Sequence, residues 1–159
     1  METPVYLAVV GSSETSKDTF ATAEALGAAI AGRGARLVCG GLGGVMEAAC
    51  KGARSAGGMT IGILPGLDHE AANPYVDVTI PTGMGEMRNA LIVRAVHAVI
   101  AVSGEFGTLS EIAFALRTDT PVVGLDTWEL ARHGEPVDAI IRAGDPESAV
   151  SLAIEAAGF

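Results

Sequence analysis

Positive charge is scarce in this chain: ten lysines and arginines stand against nineteen acidic residues, a formal charge of −9. A surface of that sign offers no broad attraction to nucleic acid or to an anionic membrane, so any anionic ligand must be held locally. Cysteine is scarcer still. Cys39 and Cys50 form no C-x-x-C pair, and His69, His97 and His133 are scattered along the chain. Neither a disulfide framework nor a metal site is expected, and the two cysteines read as small core residues. No stretch stays apolar for the ~18 residues a membrane span needs, and METPVYLAVVG lacks a basic region ahead of its short apolar run. These absences predict a soluble, cytoplasmic protein with no metal and no cofactor. Repeats, heptads and low-complexity linkers are missing too.

What the chain does have is apolar residues, 49% of 159, enough for a substantial core in one domain spanning residues 1–159. Short runs rich in β-branched residues recur at 5–10, 35–40, 59–64, 75–80, 97–102 and 120–125, and read as buried strands. Segments with helical spacing separate them. One follows the cap candidate Ser16 and ends near Gly34; others are VMEAACKGARSA, GEMRNALIVRAV, TLSEIAFALR and residues 145–157. Strands alternating with helices predict right-handed crossovers, hence an α/β fold: a Rossmann-like three-layer sandwich with a mainly parallel sheet. Segments 65–74 and 126–136 read as loops. The Ala and Gly content of the second helix would let it lie close on the sheet.

In such sheets ligands bind beyond the carboxyl ends of the strands. Three of the loops expected there are unusual: Gly11-Ser12-Ser13, Gly40-Gly41-Leu42-Gly43-Gly44, and Ser103-Gly104-Glu105-Phe106-Gly107-Thr108. Glycine lets backbone N–H groups approach a ligand, and the helix that follows adds unpaired donors and partial positive charge, which suits a phosphate. Gly104, Gly107 and Thr108 would hold it, and Gly40 to Gly44 would let a sugar or base lie against bare backbone. Tight turns with Thr108 capping its helix are the plainer alternative; three such loops on one edge favour a ligand. The pattern is neither G-x-G-x-x-G with a following acidic residue nor a P-loop with its lysine.

Two charged residues reach the same edge. Glu111 lies one turn beyond Thr108, either as half of a capping box or as a carboxylate facing the cradle, and Arg88 begins the third helix. A cation and a carboxylate beside a phosphate-sized cradle suggest chemistry on a phosphorylated sugar. Glu47 and Arg94 read as solvated or subunit-interface residues.

GSS at 11–13, GGLGGVMEAA at 40–49, the Met-Arg of EMRN at 86–89 and GTLSE at 107–111 together resemble the LOG (LONELY GUY) family, formerly called lysine decarboxylase-like proteins, over residues 5 to about 125. Length, MRN and SGxxGTLSE are most similar to the branch near molybdenum-cofactor carrier-like proteins. The resemblance implies a homodimer with a nucleotide site. It also implies a phosphoribohydrolase that cuts the N-glycosidic bond of cytokinin riboside 5′-monophosphates or AMP, with Arg88 and Glu111 as the essential pair and Ser103 to Thr108 as the phosphate loop. The family's Pro-Gly-Gly reads Ser103-Gly104-Glu105 here, and its Arg-Lys reads Arg88-Asn89; both departures favour the alternative of a nucleotide or molybdenum-cofactor binding protein without turnover. Decarboxylation is not expected, since Lys17 and Lys51 are the only lysines and neither suggests a Schiff base. The expected partners are a nucleoside monophosphate or related phosphorylated molecule and a second copy of the chain, the latter through Leu91 and Ala95, with no nucleic acid and no membrane.

Overall fold

Strands with apolar residues at consecutive positions must be covered on both faces. The computed structural model, which describes residues 2–159, shows how. In chain order the elements are β1 (Tyr6–Gly11), α1 (Lys17–Gly32), β2 (Arg36–Cys39), α2 (Val45–Ser55), β3 (Thr60–Leu64), β4 (Val78–Pro81), α3 (Asn89–Arg94), β5 (Ala98–Val102), α4 (Phe106–Arg117), β6 (Val122–Leu125), β7 (Leu130–Arg132), β8 (Glu135–Val137), β9 (Ile141–Arg142) and α5 (Pro146–Ala156). Single 3-10 turns lie at His69–Ala71 and Gly85–Arg88.

Seven strands pair in parallel in the order β4-β3-β2-β1-β5-β6-β9. Alternate residues of each strand serve opposite faces. Leu7, Val9, Leu37, Cys39, Ile100 and Val102 pack with α1, α2 and α5, whereas Ala8, Val10, Val38, Val99 and Ala101 pack with Ile92 and Val93 of α3 and with Ile112 and Ala115 of α4. This is the α/β three-layer arrangement expected from the sequence. Cys39 and Cys50 are free, buried in the first of these layers, and their sulfurs lie 3.5 Å apart. No helix among the described residues is long and apolar enough to cross a membrane.

Two expectations change. The Ala/Gly content of α2 serves helix against helix: a Cβ on Gly52 would sit 1.8 Å from the Glu24 carbonyl oxygen, and one on Gly27 would sit 1.9 Å from that of Ala49. The backbones of α1 and α2 are thus in direct contact, and Lys51 pairs with Glu24 at 3.3 Å beside them. Second, the loop expected over 126–136 contains the antiparallel hairpin of β7 and β8, turned by His133 and Gly134, both at positive φ.

Candidate functional site

β1 is the central strand: the chain winds outward from it through β2, β3 and β4, then returns to place β5 on its other side. A crevice opens at such a reversal, beyond the carboxyl ends of the two strands. It is occupied here by an open cleft of about 680 Å³, the size of many small-ligand sites. Gly11, the last residue of β1, and Ser12 lie on its floor, Gly40 and Leu42 form one wall, and Gly107, Thr108 and Glu111 of α4 form the other, with Arg88 between them.

The wall built from residues 40 to 44 is fixed by backbone bonds. The Asn73 amide group donates to the Leu42 carbonyl at 2.9 Å, the Asn73 N–H donates to the Gly41 carbonyl at 2.8 Å, and the Val45 N–H donates to the Ser12 carbonyl at 3.0 Å. Gly41, Gly43 and Gly44 face inward against Leu64, Ser12 and Ser13 rather than into the cleft. Gly40 is different. A Cβ there would lie 2.7 Å from an Arg88 nitrogen, so the bare backbone makes room for the guanidinium.

In the opposite wall, Ser103 takes φ +50 and Gly104 φ +104, turning the chain sharply out of β5. Neither lines the cleft; a Cβ on Gly104 would strike the Thr108 side chain. Helix α4 begins earlier than the sequence suggests, at Phe106, with Glu105 at its N-cap position and no side-chain cap. Thr108 therefore does not cap the helix, and the capping-box alternative for Thr108 and Glu111 does not describe this turn. The N–H groups of residues 104 to 108 have no backbone acceptor, as at any helix start, and a Cβ on Gly107 would meet open space.

Arg88 is only 8% exposed. Its Nε donates to the Ile63 carbonyl at 2.8 Å, one terminal nitrogen donates to the Gly40 carbonyl at 3.4 Å, and the other donates to the Asn89 side-chain oxygen. Burial lowers its pKa, and Glu111 opposes that shift; the group still carries its proton at any ordinary pH. Three of the five N–H donors of a guanidinium are thereby used, leaving two for a ligand.

Glu111, 7% exposed, accepts no hydrogen bond and makes no contact ion pair among the described residues, and its oxygens keep access to the cleft it lines. Burial pushes its carboxyl up to about 8, and the nearby Arg88 charge pulls the other way. Thr108, 3% exposed, lines the same space. The site thus holds an immobilised cation, a largely buried carboxyl that faces the cleft, and a row of free amides.

Three further carboxylates, Glu14, Glu86 and Glu105, line the cleft together with Met46, Asn89, Phe106 and Ser110. Glu86 opens the EMRN motif and Glu14 follows GSS, and that placement was the available signal for them. Glu47 and Arg94 stand outside the cleft, Arg94 5.7 Å above the Phe114 ring. Among the described residues no group of His, Cys, Asp or Glu is arranged to hold a metal.

Comparison with known proteins accords with this geometry. The chain is 37% identical over 127 residues to a cytokinin riboside 5′-monophosphate phosphoribohydrolase of Mycobacterium tuberculosis, covering 74% of this chain and 67% of that protein. It superimposes with a TM-score of 0.87 and 34% identity on a molybdenum cofactor binding protein from the phototrophic bacterium Rippkaea orientalis, over 98% of each chain. The molybdenum cofactor carrier protein of Chlamydomonas reinhardtii gives a TM-score of 0.85 at 31% identity, over 97% of this chain and 98% of that one. The family model for the SLOG cluster4 family matches residues 4–150. This chain therefore belongs to the SLOG cluster4 family, a LOG-like family near the molybdenum-cofactor carriers.

Proposed function

We propose that the cleft binds a nucleoside 5′-monophosphate and hydrolyses its N-glycosidic bond, releasing the free base and ribose 5-phosphate. The observation that carries this reading is the convergence of Arg88 and Glu111, both buried and not paired with each other, on one cleft beside the free amides of residues 105 to 108. The amides and the Thr108 hydroxyl hold the phosphate. Arg88, anchored through the Ile63 and Gly40 carbonyls, directs its two remaining donors at the ribose phosphate.

As the bond from C1′ to the base nitrogen breaks, its electron pair leaves with the base and positive charge builds on the ribose ring. Water then adds its oxygen to C1′, and its proton goes to the base. An ionised Glu111 stabilises that charge or takes the proton from water, and because it is fixed where the charge develops its effect on the barrier is larger than its effect on ground-state binding. The ionised form is the working one, so the cost of ionising Glu111 appears in the pH profile. In this reading the protein works in the cytoplasm as a homodimer, with no nucleic-acid partner.

Incubation of the purified protein with a panel of nucleoside monophosphates, followed by chromatography for free base, tests the proposal. Glu111→Gln should lower base release ~10²-fold or more while changing AMP binding by less than ~10-fold. Arg88→Ala should weaken both. For the wild type, kcat/KM should rise ~10-fold per pH unit below about pH 8 and level off above it.

A second reading has its own support: two of the solved structures that match over nearly their full length are a molybdenum-cofactor binding protein and a molybdenum-cofactor carrier protein. Here the same cradle holds a nucleotide or that cofactor without turnover. Tight binding of nucleotide with no base released from any monophosphate would decide for it.

A further inference from the structure

The segment after β6 reaches back to the loop that leaves β5. Thr127 Oγ1 donates to the Ser103 carbonyl at 2.5 Å, and Trp128 Nε1 donates to the Glu105 carbonyl at 3.2 Å. Trp128 is itself held: Arg142 donates to its carbonyl at 2.7 Å, and its ring stands 5.6 Å from that of Phe106. In a trans peptide the C=O of one residue and the N–H of the next point in opposite directions. Drawing the Ser103 and Glu105 carbonyls toward this segment therefore turns the Gly104 and Phe106 N–H groups the other way. Untethered, the Ser103 carbonyl could swing and present an oxygen to an anion in place of a donor; the Glu105 carbonyl also accepts the Leu109 N–H at 3.0 Å, so Trp128 gives it a second hold.

We infer that Thr127 and Trp128 are positioning residues, whose side chains hold the loop 103–108 in the orientation that binds phosphate. The inference rests on the phosphate-site reading above. It gives the residues between β6 and the β7–β8 hairpin a role that none of the cleft motifs contains. Thr127 and Trp128 lie outside the cleft lining and act only through the loop.

The probes are ribose 5-phosphate and, as a phosphate-free control, adenosine, both measured by calorimetry. Thr127→Val keeps the shape and removes the donor; it should weaken ribose 5-phosphate about tenfold and leave adenosine unchanged. Thr127→Ser should restore binding. Trp128→Phe, which keeps a ring and loses the N–H, should weaken ribose 5-phosphate in the same direction. Amide exchange of the ligand-free proteins provides a readout independent of ligand. At Ser103 and Leu109, whose N–H groups bond to Leu125 and Glu105, exchange should speed up in Thr127→Val while β1 is unaffected.

Wild-type affinity for ribose 5-phosphate in Thr127→Val and Trp128→Phe would overturn the inference, as would equal losses for both probes or unchanged exchange in the loop. If the wild type binds no ribose 5-phosphate although Thr127→Val speeds loop exchange, the phosphate-site reading fails and takes the positioning role with it, leaving a tether of structure alone.

Discussion

Burial keeps the Glu111 carboxyl protonated near neutral pH, and this ties its titration to folding. Its pKa rises from 4.5 to about 8 on folding, so between those values the native state holds a proton that the unfolded chain has lost. Stability must then fall as pH rises through that window and flatten above it. Glu111→Gln should abolish that part of the slope, gaining on the wild type between about pH 5 and about pH 8.5 in urea midpoints. An unchanged difference across the range would show a solvated carboxylate. Glu105 makes a separate prediction. Only its backbone carbonyl takes part in the loop's bonding, and its side chain caps nothing, so Glu105→Gly should leave the loop intact at a cost of a few tenths of a kcal/mol. Removing a charge from the cleft rim should tighten AMP binding in calorimetry. Weaker binding would mean that the carboxylate grips the ligand, for instance through a ribose hydroxyl.

Among the elements, α1 and α2 are the pair most exposed to a single methyl group. Gly52→Ala should cost ~3 kcal/mol or prevent folding, since backbone stands where the Cβ would go. Gly32→Ala, with nothing within 4 Å, should instead raise stability by up to ~1 kcal/mol in the same denaturation assay. Apart from β9, whose two residues set no period, the strands of the main sheet and the five helices were legible because each carries a run of apolar residues. The hairpin was not: its strands are three residues each, and its turn is His-Gly rather than the Asn-Gly that announces positive φ at two successive positions. Likewise Arg88, Glu111 and Thr108 were readable from their motifs. The inward packing of Gly41, Gly43 and Gly44 was not, because spacing cannot tell a glycine that faces a ligand from one that faces another loop. Nor could it reveal Asn73, 31 positions from the Leu42 carbonyl it holds.

At the scale of the molecule, large apolar side chains are exposed along one side. Val78 and Ile80 are exposed on the edge strand β4, paired with Ile61 and Ile63 of the face that α3 covers, and Met87, 74% exposed, and Leu91 are exposed just before and within α3. With Ala95, also exposed one turn beyond Leu91, this is the surface through which we expect the homodimer to form. Sedimentation at micromolar concentration should give about twice the chain mass of 16.1 kDa, and Leu91→Glu should lower it to that of one chain. A monomer in the wild type would refute the expectation.

The contact of α1 with α2 has a consequence for recognition. Through Val45 and the Ser12 carbonyl, that contact ties one wall of the cleft to the helix pair, whereas the loop that leads into the opposite wall is tethered by two side-chain hydrogen bonds besides the backbone bond from the Ser103 N–H to Leu125. Apart from that loop both jaws of the cleft are fixed, since Thr108 and Glu111 are buried on α4, whose Ile112 and Ala115 lie in the core. A ligand that spans it gives up chain entropy on one side only, so the ordering that accompanies capture should be confined to residues 103–109, and the grip on the ligand can be tuned there while the opposing jaw stays as it was built.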